Sequence, residues 1–323
     1  MTHPLDLTRV QEDLVREFRY GNEEEVRRLL SQLGKGPRQI RAVLEAMLES
    51  PESLIRQVAA FGLGELGGKT SVKRLEHQLS IEEARGNHDG AAVVEDITRA
   101  LGRIGGSSAR AALVRKLERL AVGKPAMADV NELARALWRR RHPDLIPAVR
   151  RSLETLTPSG PHGLNGLLVL LEKSPEALDA WARDPAIPIK LKTRAIVVLE
   201  EDVPDTLMPI LPAFIALADT LREQAQRQDG DEAYYCERLF SLLLGDRDRL
   251  IPALPEPARA RLRAVAQSLV ASPSMGSALP ASVVLGLVGH PEDIPLLESR
   301  RPADDPVFAE VFDEAAAKLR KRH

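Results

Sequence analysis

The chain has one cysteine, Cys236, in 323 residues. A lone thiol excludes an internal disulfide and any cysteine-built zinc cluster. Aromatic residues make up only 3%, so the packing surfaces must come from Leu, Ala, Val and Ile, and a large aromatic-lined cofactor pocket is disfavoured. No apolar run approaches the roughly 18 residues that a membrane-spanning helix requires. The first residues, MTHPLDLTRV, lack the basic and apolar pattern of a leader. The expected compartment is the cytoplasm, with no membrane partner. Charge of one sign is lacking too. The net charge is −2, with 26 basic against 22 acidic residues up to residue 160 and 19 against 25 beyond it. Nucleic-acid binding usually leaves a stronger basic footprint. What the chain does have is 44% hydrophobic and 28% charged residues, the balance of a folded, soluble protein.

The most informative segment is Ile55–Leu79, IRQVAAFGLGELGGKTSVKRLEHQL. Gly62, Gly64 and Gly67 spell the dinucleotide fingerprint G-x-G-x-x-G, and Gly68-Lys69-Thr70 looks like the end of a phosphate-binding loop. Both motifs need a strand before the glycines and a helix after them. Here the preceding residues are helical in pattern. Ile55, Val58, Ala59, Gly62, Leu63 and Leu66 form one apolar stripe of period 3.6. Leu63 also occupies the place where the phosphate loop needs its first glycine. The nucleotide reading therefore fails on context.

A repeat reading succeeds. Displaced by 38 residues, Val93, Ile97, Ala100, Leu101 and Ile104 fall on Ile55, Ala59, Gly62, Leu63 and Leu66, and LGRIGG (Leu101–Gly106) falls on LGELGG (Leu63–Gly68). Leu113 and Leu117 fall on Leu75 and Leu79 in the second helix of the pair. Displaced by 222 residues, Leu285, Gly286, Val288 and Gly289 restore the pattern. Self-similarity at such a period is the mark of a helical solenoid. HPDLIP (His142–Pro147) and HPEDIP (His290–Pro295) are near copies, and with Leu207-Met208-Pro209, Leu250-Ile251-Pro252 and Ser174–Leu178 they read as starts of second helices, where proline is tolerated.

IRQVAAFGLGELG, VVEDITRALGRIG and LGLVGHPEDIPLLE resemble the HEAT repeat family, and in particular its bacterial branch of short repeats of the phycobilisome-lyase type. The resemblance is strong over about residues 50–121 and 278–300. It implies an all-α solenoid of roughly seven or eight helix pairs running over residues 1–323, and usually a protein-binding role. Residues 1–50 would be N-terminal helices, 51–157 the clearest repeats, 158–300 more irregular repeats and 301–323 a capping helix. A polar connection is expected over Glu82–Gly90, a hinge over Thr157–Gly166, and further breaks at Arg227–Glu232 and Ser272–Pro280.

Enzymatic relatives are weighed against the same residues. The iron hydroxylases that modify hypusine use repeated His-Glu dipeptides, and this chain has none. No chromophore-handling motif of the phycobilin lyases can be isolated. Near-neutral charge and few aromatics disfavour a DNA glycosylase of HEAT-like build. No nucleophile elbow, zinc-protease motif or cysteine–histidine signature is present. No catalytic, cofactor-binding or metal-ligating residues are therefore expected, and His88 with Asp89 is too small a set for zinc. The function expected is that of a non-catalytic scaffold whose protein partner lies along a concave surface of second helices. The candidate partner-binding residues are the basic cluster Arg135, Arg139, Arg140, Arg141, Arg150 and Arg151, with His142 among them, and the aromatic pair Tyr234 and Tyr235. The alternatives are a lyase- or glycosylase-type enzyme, or nucleic-acid binding through residues 135–151. Asp96 stands where the first repeat has Val58, so it needs a cationic partner, with Arg56 or Arg99 as candidates, as the pairing habit of HEAT-like proteins implies.

Overall fold

A computed structural model describes residues 7–123, 125–156, 162–225 and 230–321. These contain nineteen α-helices, three short 3₁₀ turns and no strand. No helix among them is long and apolar enough to cross a membrane. The chain divides into two compact units, Met1–Thr157 and Pro158–His323. The boundary falls in the expected hinge. Its first five residues, 157–161, lie outside the described residues, and its last four, Gly163–Gly166, already belong to a helix.

The first unit holds α1 (Leu7–Arg19), α2 (Glu23–Leu30), α3 (Pro37–Met47), α4 (Ser53–Leu66), α5 (Gly68–Arg85), α6 (His88–Arg103), α7 (Ser107–Val122), α8 (Met127–Arg139) and α9 (Ile146–Thr155). From α4 onward each helix packs against the helix two places along. One layer runs α4, α6, α8 and the other α5, α7, α9. The apolar stripe read from the sequence is the cause: Val58, Ala59, Leu63, Ile97, Ala100, Leu101, Leu113 and Leu117 are all sealed from solvent. Each large side chain so buried contributes on the order of 1.5–3 kcal/mol.

The glycines divide into two kinds. Gly67 and Gly68 have φ of 63° and 82° and turn the chain from α4 into α5, with nothing within 4 Å of an added Cβ. Gly64 lies inside α4, and a Cβ there would stand 3.1 Å from the Cα of Ala100 on α6. Gly102 of α6 backs on Ala136 of α8 in the same way, at 3.0 Å from its Cα. Both are close-approach residues inside helices, and Lys69-Thr70 sit in the first turn of α5. No phosphate cradle exists in this segment.

The expected connection Glu82–Gly90 is much shorter than its polarity suggests. Glu82–Arg85 belong to α5, and His88 and Asp89 open α6. Only Gly86, at φ 62°, and Asn87, whose Oδ1 accepts from the Gly90 N–H at 2.8 Å, lie between them. A left-handed glycine followed by a capping asparagine ends one helix and starts the next in two residues.

The second unit holds α10 (Gly163–Glu172), α11 (Pro175–Arg183), α12 (Ile189–Leu199), α13 (Leu211–Ala225), α14 (Asp231–Gly245), α15 (Arg247–Leu250), α16 (Glu256–Val270), α17 (Met275–Val288), α18 (Ile294–Arg300) and α19 (Pro306–Arg320). It is layered likewise, with α10, α12, α14, α17 and α19 on one side and α11, α13, α16 and α18 on the other. Gly286 of α17, the residue the 222-residue displacement places on Gly64, backs on Ala315 of α19 at 2.9 Å from its Cα. The expected break Arg227–Glu232 lies partly outside the described residues, and Asp231 starts α14. The expected break Ser272–Pro280 is mostly helix: α17 begins at Met275 and carries Pro280 inside it, where the buried Ala278, Ala281 and Val284 hold the helix together. Ile146-Pro147 and Ile294-Pro295 do open α9 and α18, whereas Leu250 ends the short α15.

Candidate functional site

The layer α4–α6–α8 carries a row of polar side chains that recurs from helix to helix. Ala100 and Ala136 each receive the glycine of the preceding first helix, which makes them equivalent and places Arg99 with Arg135 and Arg103 with Arg139. The same two places on α4 hold Phe61 and Glu65.

Three arginines of this row, Arg99, Arg103 and Arg135, are held by carboxylates. Arg103 pairs with Glu23 of α2 at 2.6 Å and lies 3.7 Å from Glu65. Arg27 of α2 pairs with Glu23 at 2.7 Å and with Glu65 at 3.1 Å. Both guanidinium groups cover the Phe61 ring, 4.6 Å away for Arg103 and 5.6 Å for Arg27, while Phe18 of α1 meets that ring edge-on at 5.9 Å. Cation–π stacking and ion pairing thus fix the same two arginines. Arg99 pairs with Glu95 at 2.6 Å, Asp96 at 2.9 Å and Glu132 at 3.4 Å, and Arg135 reaches Glu132 at 3.5 Å. A cleft of about 380 Å³ opens on this face between α1, α2, α4 and α6, lined by Phe18, Phe61, Asp96, Arg99 and Arg103. A second of about 240 Å³ lies between α6 and α8, with Glu95, Asp129, Glu132 and Arg135.

Two carboxyl groups of the face are shifted in opposite directions. Burial pushes Asp96 up to about 6, against the pull of Arg99, and the neighbouring Glu95 and Glu132 push the same way as burial. Burial also acts on Glu23, but there Arg103 and Arg27 prevail and hold it below the usual range. Of the two cations weighed for Asp96, Arg99 is its partner. Arg56 turns to Glu82 instead, at 2.8 Å and 3.2 Å, and donates to the carbonyls of Ser50 and Pro51 at 2.9 Å each.

The basic cluster read from the sequence does not form one patch. Arg135 and Arg139 lie on α8 in the row just described. Arg140 is part-buried and donates to the Ile104 carbonyl at 3.2 Å, and burial lowers its affinity for the proton. Arg141 stacks on Trp138 at 4.9 Å. Arg150 and Arg151 belong to α9 in the other layer, with Arg151 at 4.0 Å from Glu118. His142 is a cap, its Nδ1 accepting from the Asp144 N–H at 3.2 Å. The two tyrosines also part. Tyr235 is fully buried and its hydroxyl donates to the Phe214 carbonyl at 2.9 Å, so it belongs to the core. Tyr234 is 38% exposed, between Arg194 at 5.7 Å and Arg238 at 6.0 Å.

The Phe61 cluster had no obvious mark in the sequence, because Glu23, Arg27, Glu65 and Arg103 come from three separate helices. A signal was present in the recurrence of Arg99 and Arg103 as Arg135 and Arg139. Among the described residues, no group of three or more His, Cys, Asp or Glu side chains converges as metal ligands would.

No family model matches the chain, and no curated protein matches it. Among solved structures, human deoxyhypusine hydroxylase in complex with glycerol aligns over 98% of this chain and 96% of its own, with 16% identity and a TM-score of 0.37. An engineered protein aligns over 96% of this chain and 88% of its own, with 18% identity and a TM-score of 0.30. Likenesses at these values assign no activity.

Proposed function

We propose that this chain is a non-catalytic α-solenoid scaffold of HEAT-like helix pairs, and that a protein partner lies across the face built by α2, α4, α6 and α8. The packing of each helix on the helix two along supports the solenoid reading. The expectation from sequence placed the partner on the second helices. The clefts at Phe61 and Glu132 favour the layer of first helices instead. One observation carries the choice of a protein over a nucleic acid: Arg27, Arg99, Arg103 and Arg135 are each already paired with a carboxylate. A phosphate backbone needs cations free to replace its counterions, whereas a face of alternating sign with aromatic side chains between suits a protein surface of complementary pattern.

The test is affinity capture by the full chain, with mass spectrometry, set beside Arg99→Glu/Arg135→Glu. The row reading expects specific partners to be lost from the double variant while the circular-dichroism spectrum stays unchanged. An unchanged partner set removes this face from the function. Tight binding of duplex DNA at low salt, falling steeply as salt rises, supports the nucleic-acid alternative instead.

A further inference from the structure

Lys116 is a buried ionisable residue at the floor of the cleft by Glu132, and it takes no part in the ion pairs of the proposed partner face. It projects from α7 toward α6 and is 2% exposed. Its Nζ donates to the Thr98 hydroxyl, which itself donates to the Val94 carbonyl at 2.6 Å. The 38-residue displacement puts Lys116 where the preceding helix pair has Gln78. There the amide donates to Glu82 at 2.7 Å and completes the network around Arg56. At Lys116 the analogous carboxylate is missing, and among the described residues Thr98 is the one hydrogen-bond partner of Nζ. A buried ammonium normally requires more than a single hydroxyl to offset its lost hydration.

Two clefts meet at this side chain. One of about 470 Å³ lies at the ends of α5 to α8, with Glu83, Asn87, His88 and Arg119. The other, of about 240 Å³, is the one between α6 and α8 described above. Lys116 and Asp129 line both. We infer that Lys116 is an amine nucleophile that captures a small neutral aldehyde or ketone entering these clefts, as a Schiff base.

The chemistry balances without a further reactant. The Nζ lone pair adds to the carbonyl carbon, the carbonyl oxygen takes up a proton, and the nitrogen gives one up to leave a carbinolamine. Loss of water then forms the C=N bond, and protonation of its nitrogen gives an iminium cation. Asp129 lines both clefts and is placed to relay those protons. Glu83, Asp129 and Glu132 face the nitrogen from α5 and α8 and favour the cation, and with Glu95 and Glu82 they disfavour a carbonyl compound that is itself an anion. Burial lowers Lys116 to about 8; Arg119 acts in the same direction and the three facing carboxylates oppose. At pH 7.5 roughly a quarter of such an amine is free, against about one in a thousand for a solvated lysine.

The experiment treats the intact protein with limiting glycolaldehyde and sodium cyanoborohydride, which fixes the imine as a secondary amine, and maps the adducts by peptide mass spectrometry. Lys116 should be modified at least about tenfold faster than the exposed Lys69 and Lys73, with half-maximal rate near pH 8. Relative to those lysines in the same sample, glyoxylate should label Lys116 far less than glycolaldehyde does. The Lys116→Arg variant should lose the fast component. Adducts spread over Lys69 and Lys73 with Lys116 unmodified, or modified only in urea, overturn the inference. That readout comes from the wild-type chain, so it stands even if the variant fails to fold.

Discussion

Arg56 and Glu82 face each other between α4 and α5 as a two-point ion pair, with the two side chains 1% and 0% exposed. Glu82 also accepts from Gln78 and pairs with Arg85 at 3.2 Å. Removing Glu82 leaves Arg56 charged and buried with only the Ser50 and Pro51 carbonyls, whereas Glu82 without Arg56 keeps Arg85 and Gln78. Glu82→Ala should therefore lower unfolding stability by about 3–5 kcal/mol, and Arg56→Met combined with Glu82→Met should cost less than the two single changes added together. Urea unfolding of the four proteins measures the coupling. Strict additivity would show that the pair is not the organising contact.

The two kinds of glycine should respond differently to substitution. A side chain at Gly64 meets backbone, since the Cα of Ala100 is 3.1 Å from the new Cβ. Gly64→Leu should therefore force α4 and α6 apart, at about 1–3 kcal/mol. Gly67→Ala meets nothing within 4 Å, yet holds an L residue at φ 63° and ψ −164°, a region almost confined to glycine, a strain of about 1–3 kcal/mol. Increasing side-chain size further at position 67 should add little, whereas at position 64 each added methylene should add cost. Thermal melts of Ala, Val and Leu series at both positions separate space from strain.

Asp96 makes stability depend on pH in an unusual sense. Its folded-state value is raised by burial to about 6, so the folded protein holds the proton more tightly than the unfolded chain does. The associated stability is fully present below about pH 4 and is lost as pH rises through about 6. Asp96→Asn, which stays neutral, should be more stable than wild type by roughly 1–3 kcal/mol at pH 8, with the difference vanishing near pH 4. Urea unfolding at the two pH values checks this. A gain that is the same at both would remove the carboxylate as its cause.

On α14, Cys236 and Tyr235 should be silent until the protein opens. Burial pushes the Cys236 thiol up to about 12. Iodoacetamide at pH 8 should not alkylate it in the native state and should do so rapidly in urea. Tyr235→Phe removes the hydrogen bond to the Phe214 carbonyl and should cost about 1–2 kcal/mol. Tyr234→Ala, which removes a part-exposed ring from between Arg194 and Arg238, should cost less, about 0.5–1 kcal/mol. Native alkylation of Cys236 would place it in a segment that opens locally.

The repeat was legible because packing imposes it on local sequence. Leu63, Leu101 and Leu285 recur since each must fill the same inner position, and Gly64, Gly102 and Gly286 recur since two backbones must meet there. The site was legible only in part. Arg135 and Arg139 stood out as members of a dense arginine run, while their equivalents Arg99 and Arg103, isolated among aliphatic neighbours, did not. Density along the chain says little about proximity when every second helix belongs to the other layer, which is why Arg150 and Arg151 fell away from the row. Polarity misled at Glu82–Gly90 for a related reason. Glu82 reads as a loop residue until its buried partner 26 positions earlier is known.

The contacts Gly64–Ala100 and Gly102–Ala136 bear on how such a chain can grow or shrink. On α6 the receiving residue and the offered one sit two positions apart, Ala100 turned to α4 and Gly102 to α8. A gene duplication that copied a helix pair would keep the stack in register only if the copy carried both, because each junction is shared between two copies. On α8 the place of the offered glycine is taken by Trp138, roofed by Arg141. Copying a further helix pair onto α8 in the same register would first require this tryptophan to be replaced by a small residue, as at Gly64 and Gly102.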